Sequence, residues 1–134
     1  MTGFNDLGTR ALGGLLVQVL DDGASLLMAK AAGLDFLLLD GEHGDLDHGS
    51  LGELLLLADA CGLPTVVRVP ELTRAWVSHT LDLGATGVMV PMVETAAQAR
   101  RLVEWAKYPP LGRRSYSGGG HTGYGPSGNH GPTM

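Results

Sequence analysis

The chain has 134 residues, of which 44% are hydrophobic and 17% charged, a balance typical of a globular domain rather than a disordered segment. Its formal net charge of -5 and its scattered Lys and Arg residues argue against a nucleic-acid-binding protein. No apolar stretch approaches the roughly 18 residues that cross a bilayer, so we expect no membrane partner. With no evident signal peptide and one cysteine, Cys61, we expect a cytoplasmic protein.

Short apolar runs alternate along the chain with longer segments of helical character. The apolar runs predict four strands, at residues 15–20, 36–39, 65–69 and 87–90. The segments between and after them predict helices at residues 25–32, 50–60, 73–83 and 95–107, with Thr95 as an N-cap. Strands that are apolar throughout and alternate with helices are typical of a parallel sheet covered on both faces. The fold class is therefore α/β, with four repeated βα units.

The composition changes after Pro110. Residues 112–134 are rich in Gly, Ser, His and Pro and have no apolar period. We therefore predict a βα domain over residues 1–111 and a loop or disordered tail over 112–134. His48, His121 and His130 are expected in flexible segments, and no pair of them has convincing metal-ligand spacing.

A polar motif follows the second predicted strand, where Asp40, Glu42 and His43 lie between glycines. In parallel α/β folds, chemistry collects at the carboxyl ends of the strands. Glycines allow a sharp turn close to a ligand, and histidine is the side chain best suited to move protons near neutral pH. A solvated polar loop would have the same local pattern, so both interpretations stay open.

Arg68 interrupts the apolar third strand. A guanidinium in a buried strand needs a partner, and it could bind a substrate carboxylate or an enolate oxygen. The alternative is a structural ion pair with Asp40 or Glu42 on the neighbouring strand, and the two roles are compatible. The local pattern predicts that Asp82, near the end of the third helix, is a solvated carboxylate. It also predicts that His79, on the same helix, is a surface residue. Trp76 and Trp105 are expected to pack.

Five motifs together resemble the HpcH/HpaI aldolase family. They are residues 36–44 (FLLLDGEHG), 66–70 (VVRVP), 81–85 (LDLGA), 90–93 (VPMV) and 108–114 (YPPLGRR). The resemblance runs in order from about Leu15 to Gly125. It implies the N-terminal half of a TIM (β/α)8 barrel, which needs about 250 residues in full.

The resemblance also implies an activity and roles for individual residues. It implies a metal-dependent lyase that cleaves 4-hydroxy-2-oxo acids to pyruvate and an aldehyde, or runs the reverse addition. His43 would be a base acting through water, and Arg68 would hold the 2-oxo acid and stabilise its enolate. Asp40 and Glu42 would contribute to substrate binding. Asp82 would match a carboxylate that pairs with the histidine, across a subunit interface, although Asp40 or Asp45 lies nearer within one chain.

The chain departs from the family at the metal site. The resemblance implies a divalent cation of the Mg²⁺ or Mn²⁺ class, held by a Glu and an Asp on later strands, and neither motif occurs here. Four βα units would also leave an open apolar face. We expect it to be buried by another copy in a homo-oligomer, or by another chain that supplies the remaining strands. The alternative to an enzyme is a catalytically silent half barrel that acts as an assembly partner or a weak 2-oxo-acid binder.

Overall fold

A computed structural model of the chain describes residues 12–19 and 22–125. Four parallel strands alternate with four helices. The strands are β1 (Gly14–Val17), β2 (Phe36–Asp40), β3 (Thr65–Arg68) and β4 (Gly87–Met89). The helices are α1 (Gly23–Ala31), α2 (His48–Ala60), α3 (Arg74–Asp82) and α4 (Ala96–Ala106). The predicted α/β half barrel is confirmed.

Sheet order follows chain order, β1-β2-β3-β4, and all pairs are parallel. Each crossover therefore places a helix beside the strand that it follows, as repeated βα units require. The predicted strands differ from the observed ones by a residue or a few at their ends. The end of the first predicted strand, Leu20, lies outside the described residues.

The helices begin where side chains can accept hydrogen bonds from their first turns. Asp22, Asp47 and Thr73 cap α1, α2 and α3, each through its side chain and the backbone N–H three residues later. The predicted cap Thr95 is confirmed, and Gln98 completes a capping box with it. These caps fix where each helix leaves its preceding loop.

The two faces of the sheet have different surroundings. Leu37, Leu39 and Val67 point to the helices and are fully buried in the hydrophobic core. The alternate residues Leu16, Leu38 and Val66 lie in register on the opposite face. This second face corresponds to the inside of a barrel, and Leu16 is 49% exposed there. The described part of the chain thus covers one face of its sheet and leaves the other open.

The segment after α4 packs back onto the domain. Its 3-10 turn, Gly120–Thr122, lies against the ends of α2 and α3. A Cβ at Gly120 would come within 2.0 Å of the Leu83 carbonyl oxygen, so only glycine permits this approach. Thr122 and Arg114 are buried. The boundary at residue 111 stays a prediction, and residues 126–134 lie outside the described residues.

Candidate active site

The centre of the site is an ion pair between the last residues of two neighbouring strands. Asp40 ends β2, Arg68 ends β3, and the two are register partners. Arg68 Nε donates to Asp40 Oδ1 at 2.9 Å, and Arg68 Nη2 donates to Oδ2 at 2.6 Å. Both side chains fall on the open face, because Asp40 alternates with Leu39 and Arg68 with Val67. The predicted structural ion pair is therefore confirmed.

The Asp40 carboxylate also organises the loop that follows β2. Its Oδ1 accepts backbone hydrogen bonds from Glu42 N at 3.0 Å and His43 N at 3.2 Å. The hydrogen bonds from Arg68 lower the pKa of Asp40 from 3.8 to about 2, and the two backbone donors act in the same direction against the effect of burial. The same pair raises the pKa of Arg68. Both groups are thus charged throughout the neutral range.

Glycines allow this loop to fold tightly. Gly41 N donates to the Arg68 carbonyl oxygen at 2.7 Å, which extends the contact between β2 and β3 by one residue. At Gly44 a Cβ would lie 2.2 Å from the Asp40 carbonyl oxygen, a backbone atom that cannot move aside cheaply. Close backbone approach therefore requires glycine at position 44, whereas a Cβ at Gly41 would lie 3.0 Å from the Arg68 carbonyl oxygen and would be tight.

Glu42 lies between Arg68 and His43. Its Oε2 is 3.4 Å from Arg68 Nε and 3.7 Å from His43 Nε2. The His43 side chain is 59% exposed and that of Glu42 is 22% exposed, so both face the solvent at this edge. Glu42 is thus the carboxylate that stands beside the His43 ring. Of the two carboxylates predicted to lie nearer to His43 within one chain, Asp40 binds Arg68 and Asp45 is exposed.

The arrangement can bind an anion and move a proton. The Arg68 side chain remains 26% exposed, and its Nη1 has no hydrogen-bond partner among the described residues. A carboxylate or an oxyanion could accept a hydrogen bond from that nitrogen. His43 lies close by and presents an imidazole to the same solvent-facing edge. The solvated-loop interpretation of the motif does not account for a fully buried Asp40.

Asp82 lies at the other end of the sheet. It ends α3, just before the chain enters β4, so parallel topology separates it from the loop with His43. Its Oδ1 accepts from Arg114 Nε at 3.0 Å and from Arg114 Nη2. The Arg114 guanidinium also lies 4.8 Å from the centre of the Tyr108 ring. Within one chain, Asp82 is therefore the partner of Arg114 and not of His43.

Two histidines expected in flexible segments are in ordered contacts, so that prediction was wrong. His48 begins α2 and stacks on Trp76 and His79. His121 lies in the 3-10 turn, with Nδ1 3.2 Å from the Asp82 carbonyl oxygen. The residues next to these histidines in the sequence are polar or small, and they do not indicate contacts with residues that are distant along the chain. His130 lies outside the described residues.

The predictions for Trp76, Trp105 and His79 agree with the structure. Trp76 packs against the core, as expected. The Trp105 ring is partly buried, and its carbonyl accepts a hydrogen bond from Ser78 Oγ. His79 is exposed, as predicted.

The residues at this edge do not make a metal site by themselves. No group of three or more His, Cys, Asp and Glu side chains in residues 12–19 and 22–125 could hold a metal ion. Both Asp40 oxygens already accept hydrogen bonds from Arg68, which leaves Glu42 as the carboxylate with spare capacity. No catalytic step is therefore assigned to a metal on these residues.

Comparison with known proteins identifies the family. The sequence model of the HpcH/HpaI aldolase/citrate lyase family matches residues 19–123. The chain belongs to this family. Its ion pair, glycine loop and histidine all fall within the matched residues.

Relatives and solved structures agree. The chain is 43% identical to a hydroxypyruvate/pyruvate aldolase of Roseobacter denitrificans, over 76% of this chain and 41% of that protein. It is 42% identical to a 4-hydroxy-2-oxovalerate aldolase of Novosphingobium aromaticivorans, over 64% of this chain and 33% of that protein. The crystal structure of an HpcH/HpaI aldolase from Desulfitobacterium hafniense matches with a TM-score of 0.87 at 30% identity, covering 94% of this chain and 49% of that one.

The chain thus spans less than half the length of the curated relatives that it matches and about half of the solved aldolase. Among the described residues, no helix has the length and apolar character to cross a membrane.

Proposed function

We propose that this chain is the acid–base and anion-binding half of a carbon–carbon lyase that cleaves 4-hydroxy-2-oxo acids to pyruvate and an aldehyde, or catalyses the reverse addition. The observation that carries the proposal is the Asp40–Arg68 pair at the carboxyl edge of the sheet, with Glu42 and His43 beside it. Membership of an aldolase family supports the choice of reaction.

In the cleavage direction, His43 accepts the proton of the substrate's 4-hydroxyl group, through a water molecule. The bond between C3 and C4 breaks, its electron pair forms the enolate of pyruvate, and C4 leaves as the aldehyde carbon. Arg68 holds the 2-oxo acid and stabilises the negative charge that develops on the enolate. A proton added at C3 then gives pyruvate. Asp40 holds the Arg68 guanidinium at a fixed angle, and Glu42 stands beside both Arg68 and His43.

Substrate binding by Asp40 is indirect on this proposal. Its oxygens are occupied by Arg68 and by backbone N–H groups, so it acts by orienting Arg68. Glu42 contributes at the solvent-facing edge, where a substrate hydroxyl could donate to it.

Asp82 takes part only if a second copy brings it near His43. Its side chain is 31% exposed beside Arg114, so one face of the carboxylate is reachable from outside. We propose such a homo-oligomer because the open sheet face also needs cover. Leu16 and Met89 are large apolar residues left 49% and 44% exposed in β1 and β4, the two edge strands. A second copy of the chain would bury them.

The divalent cation remains part of the proposal, with ligands from outside the described residues. Such a cation would act as a Lewis acid on the 2-oxo group. The 2-oxo acid partner and the cytoplasmic location are likewise proposals, which rest on the family and on the single cysteine.

Release of pyruvate from 4-hydroxy-2-oxovalerate, followed with added Mg²⁺ or Mn²⁺ through lactate dehydrogenase, tests the proposal. We expect His43→Asn to lower the rate about 100-fold or more, by loss of the base. Arg68→Lys should lower it about 100-fold, by loss of the fixed guanidinium. Arg113→Lys is the control, because the Arg113 side chain is 81% exposed and far along the chain from the motif. Equal rates in all four proteins would contradict the assigned roles.

A catalytically silent half barrel is the second candidate. The observation that favours it is that the described residues hold no group of His, Cys, Asp and Glu side chains suited to a metal ion. Calorimetric titration with pyruvate distinguishes the two. Binding that needs Arg68, without turnover at any metal concentration, would support the silent binder and exclude the enzyme for this chain.

A further inference from the structure

Three aromatic rings that are not part of the Asp40–Arg68 pair form a stack between α2 and α3. The His48 ring lies 3.9 Å from the centre of the Trp76 ring, with 18° between their planes. The centre of the His48 ring also lies 4.6 Å from the centre of the His79 ring, with 28° between their planes. Trp76 and His79 are three residues apart on α3, so they present neighbouring rings on one helix face.

The stack joins α2 to α3. Apart from these rings, α2 and α3 contact each other less than α3 and α4 do. His48 is the first residue of α2, directly after the N-cap Asp47. The loop that carries Glu42 and His43 ends at this cap. Between His43 and Asp47, Leu46 is the one buried hydrophobic side chain. The ring stack is therefore a tether for the carboxyl end of that loop.

The surroundings of His48 favour its neutral form. Its Nε2 is buried and has no hydrogen-bond partner among the described residues. A neutral imidazole can carry its proton on Nδ1 and leave Nε2 bare, whereas the protonated ring must place N–H on both nitrogens. Protonation would thus create a buried donor without an acceptor, which is costly.

Some charged and titratable neighbours of His48 favour its neutral form, and others favour its protonated form. His79 opposes a positive charge on His48, while Asp47 favours it. The face of Trp76 also attracts a cation. Burial is the largest effect, His79 adds to it, and together they outweigh Asp47, so the pKa of His48 is lowered from 6.5.

We propose that His48 is a pH-sensitive clamp, whose neutral ring, held between Trp76 and His79, fastens the first turn of α2 to α3. Protonation weakens the clamp and loosens the loop that carries Glu42 and His43. The clamp itself does not depend on the proposed lyase activity, since folding and ring titration can be measured without turnover.

The direction in which pH changes the stability follows from the pKa of His48, which is lower in the folded chain than in the unfolded chain. Above the unfolded-state pKa of about 6.5, His48 is neutral in both states and the clamp is at full strength. As pH falls through that value the unfolded chain takes up the proton first, so stability declines. The loss ends once the pH is below the folded-state pKa. At pH 5.5 the folding equilibrium constant can fall by at most about tenfold from this group.

Urea unfolding between pH 5 and 8 tests the clamp, with the wild-type chain compared with His48→Phe. Phenylalanine keeps a stacked ring but cannot take up a proton. We expect the folding constant of the wild type to fall severalfold more on acidification than that of H48F. The histidines that do not contact His48 are common to both proteins, so their contributions cancel in the difference, whereas His79 loses its neighbouring imidazole ring in H48F. Identical pH dependence in the two proteins would overturn the proposal.

NMR titration of the histidine rings in the wild-type chain needs no folded variant, because the ring resonances can be assigned through their bonds to the assigned backbone. The His48 midpoint should lie below 6.5, and a midpoint at or above that value would overturn the clamp. The coupling to the loop is tested in His43→Asn, so that the loop carries no imidazole of its own. The amide shifts of Glu42 and Gly44 should then follow the His48 midpoint, and amides that stay constant would refute the release of the loop.

Discussion

The part of the chain that the structure describes has two Asp–Arg pairs, one at each end of its sheet, with opposite members exposed. In the Asp40–Arg68 pair the carboxylate is fully buried and the guanidinium is 26% exposed. In the Asp82–Arg114 pair the guanidinium is 7% exposed and the carboxylate 31% exposed. One end therefore presents a cation to solvent, and the other presents an anion.

This difference explains why the two ends suit different roles. The cation at the carboxyl edge of the strands, beside His43, suits a 2-oxo acid, which is an anion. At the other end Arg114 is enclosed by Tyr108 and Asp82, and burial raises the pKa of Tyr108. That enclosure orders the segment after α4 and offers no cation to a ligand. The same residue types thus make a candidate binding site at one end and a structural anchor at the other.

The largest expected effect is on the buried carboxylate. Asp40→Asn should lower the free energy of unfolding by about 3 kcal/mol, because it leaves the Arg68 charge without its partner in a partly buried setting. Urea unfolding at pH 7 measures this. Asp45→Asn, in the same loop but exposed, is the matched control and should change little. A loss of stability no larger than that of the control would remove the distinction between the two ends.

Acid titration should reveal the same carboxylate. The pKa of Asp40 is about 2 in the folded chain against an ordinary 3.8, so its stabilisation is complete above pH 4 and is lost as pH falls towards 2. The loss should be about 2 kcal/mol. Comparing acid unfolding of the wild type with that of Asp40→Asn isolates it. Parallel curves for the two proteins below pH 4 would contradict the lowered pKa.

Breaking the other pair should cost less. Arg114→Met keeps an apolar chain of similar length and should lower the free energy of unfolding by about 1–2 kcal/mol, because water can solvate the exposed side of Asp82. Arg113→Met is the control, since its partner Glu104 is 3.4 Å away and both side chains are exposed. If R114M cost as much as Asp40→Asn, the anchor would be as dependent on its charge as the candidate site is.

The smallest effect is expected at the rim of the candidate site. Glu42→Gln should change stability by less than about 1 kcal/mol, because its contact with Arg68 is long and reached by solvent. Glu104→Gln removes a pair of the same 3.4 Å distance at a more exposed position and should have still less effect. Thermal unfolding of both variants measures the difference. A loss at Glu42 that rivals Asp40→Asn would make Glu42 part of the structural pair.

Much of the fold could be predicted from the sequence because local patterns agree with the tertiary structure. Apolar runs separated by helical segments defined four βα units, and the N-cap at Thr95 followed from side-chain chemistry. The positions of Asp40, Glu42, His43 and Arg68 at or just after strand ends predicted that they share one edge of the sheet. The register of Asp40 with Arg68 and the contacts of Glu42 with Arg68 and His43 confirm it. Element ends were less accurate, because hydrogen bonds between strands decide where a strand stops.

The sequence by itself determined the βα order, the family and the residue types at the carboxyl edge of the sheet. The sequence offered Asp40 or Glu42 as the partner of Arg68, and the tertiary structure decided between them and paired Asp82 with Arg114. Asp40 and Arg68 are 28 residues apart, and Asp82 and Arg114 are 32 apart. No local pattern specifies partners at such separations, or the stacking of His48 on Trp76 and His79. Those contacts depend on how helices and strands pack, and that packing also determines which member of each ion pair faces the solvent.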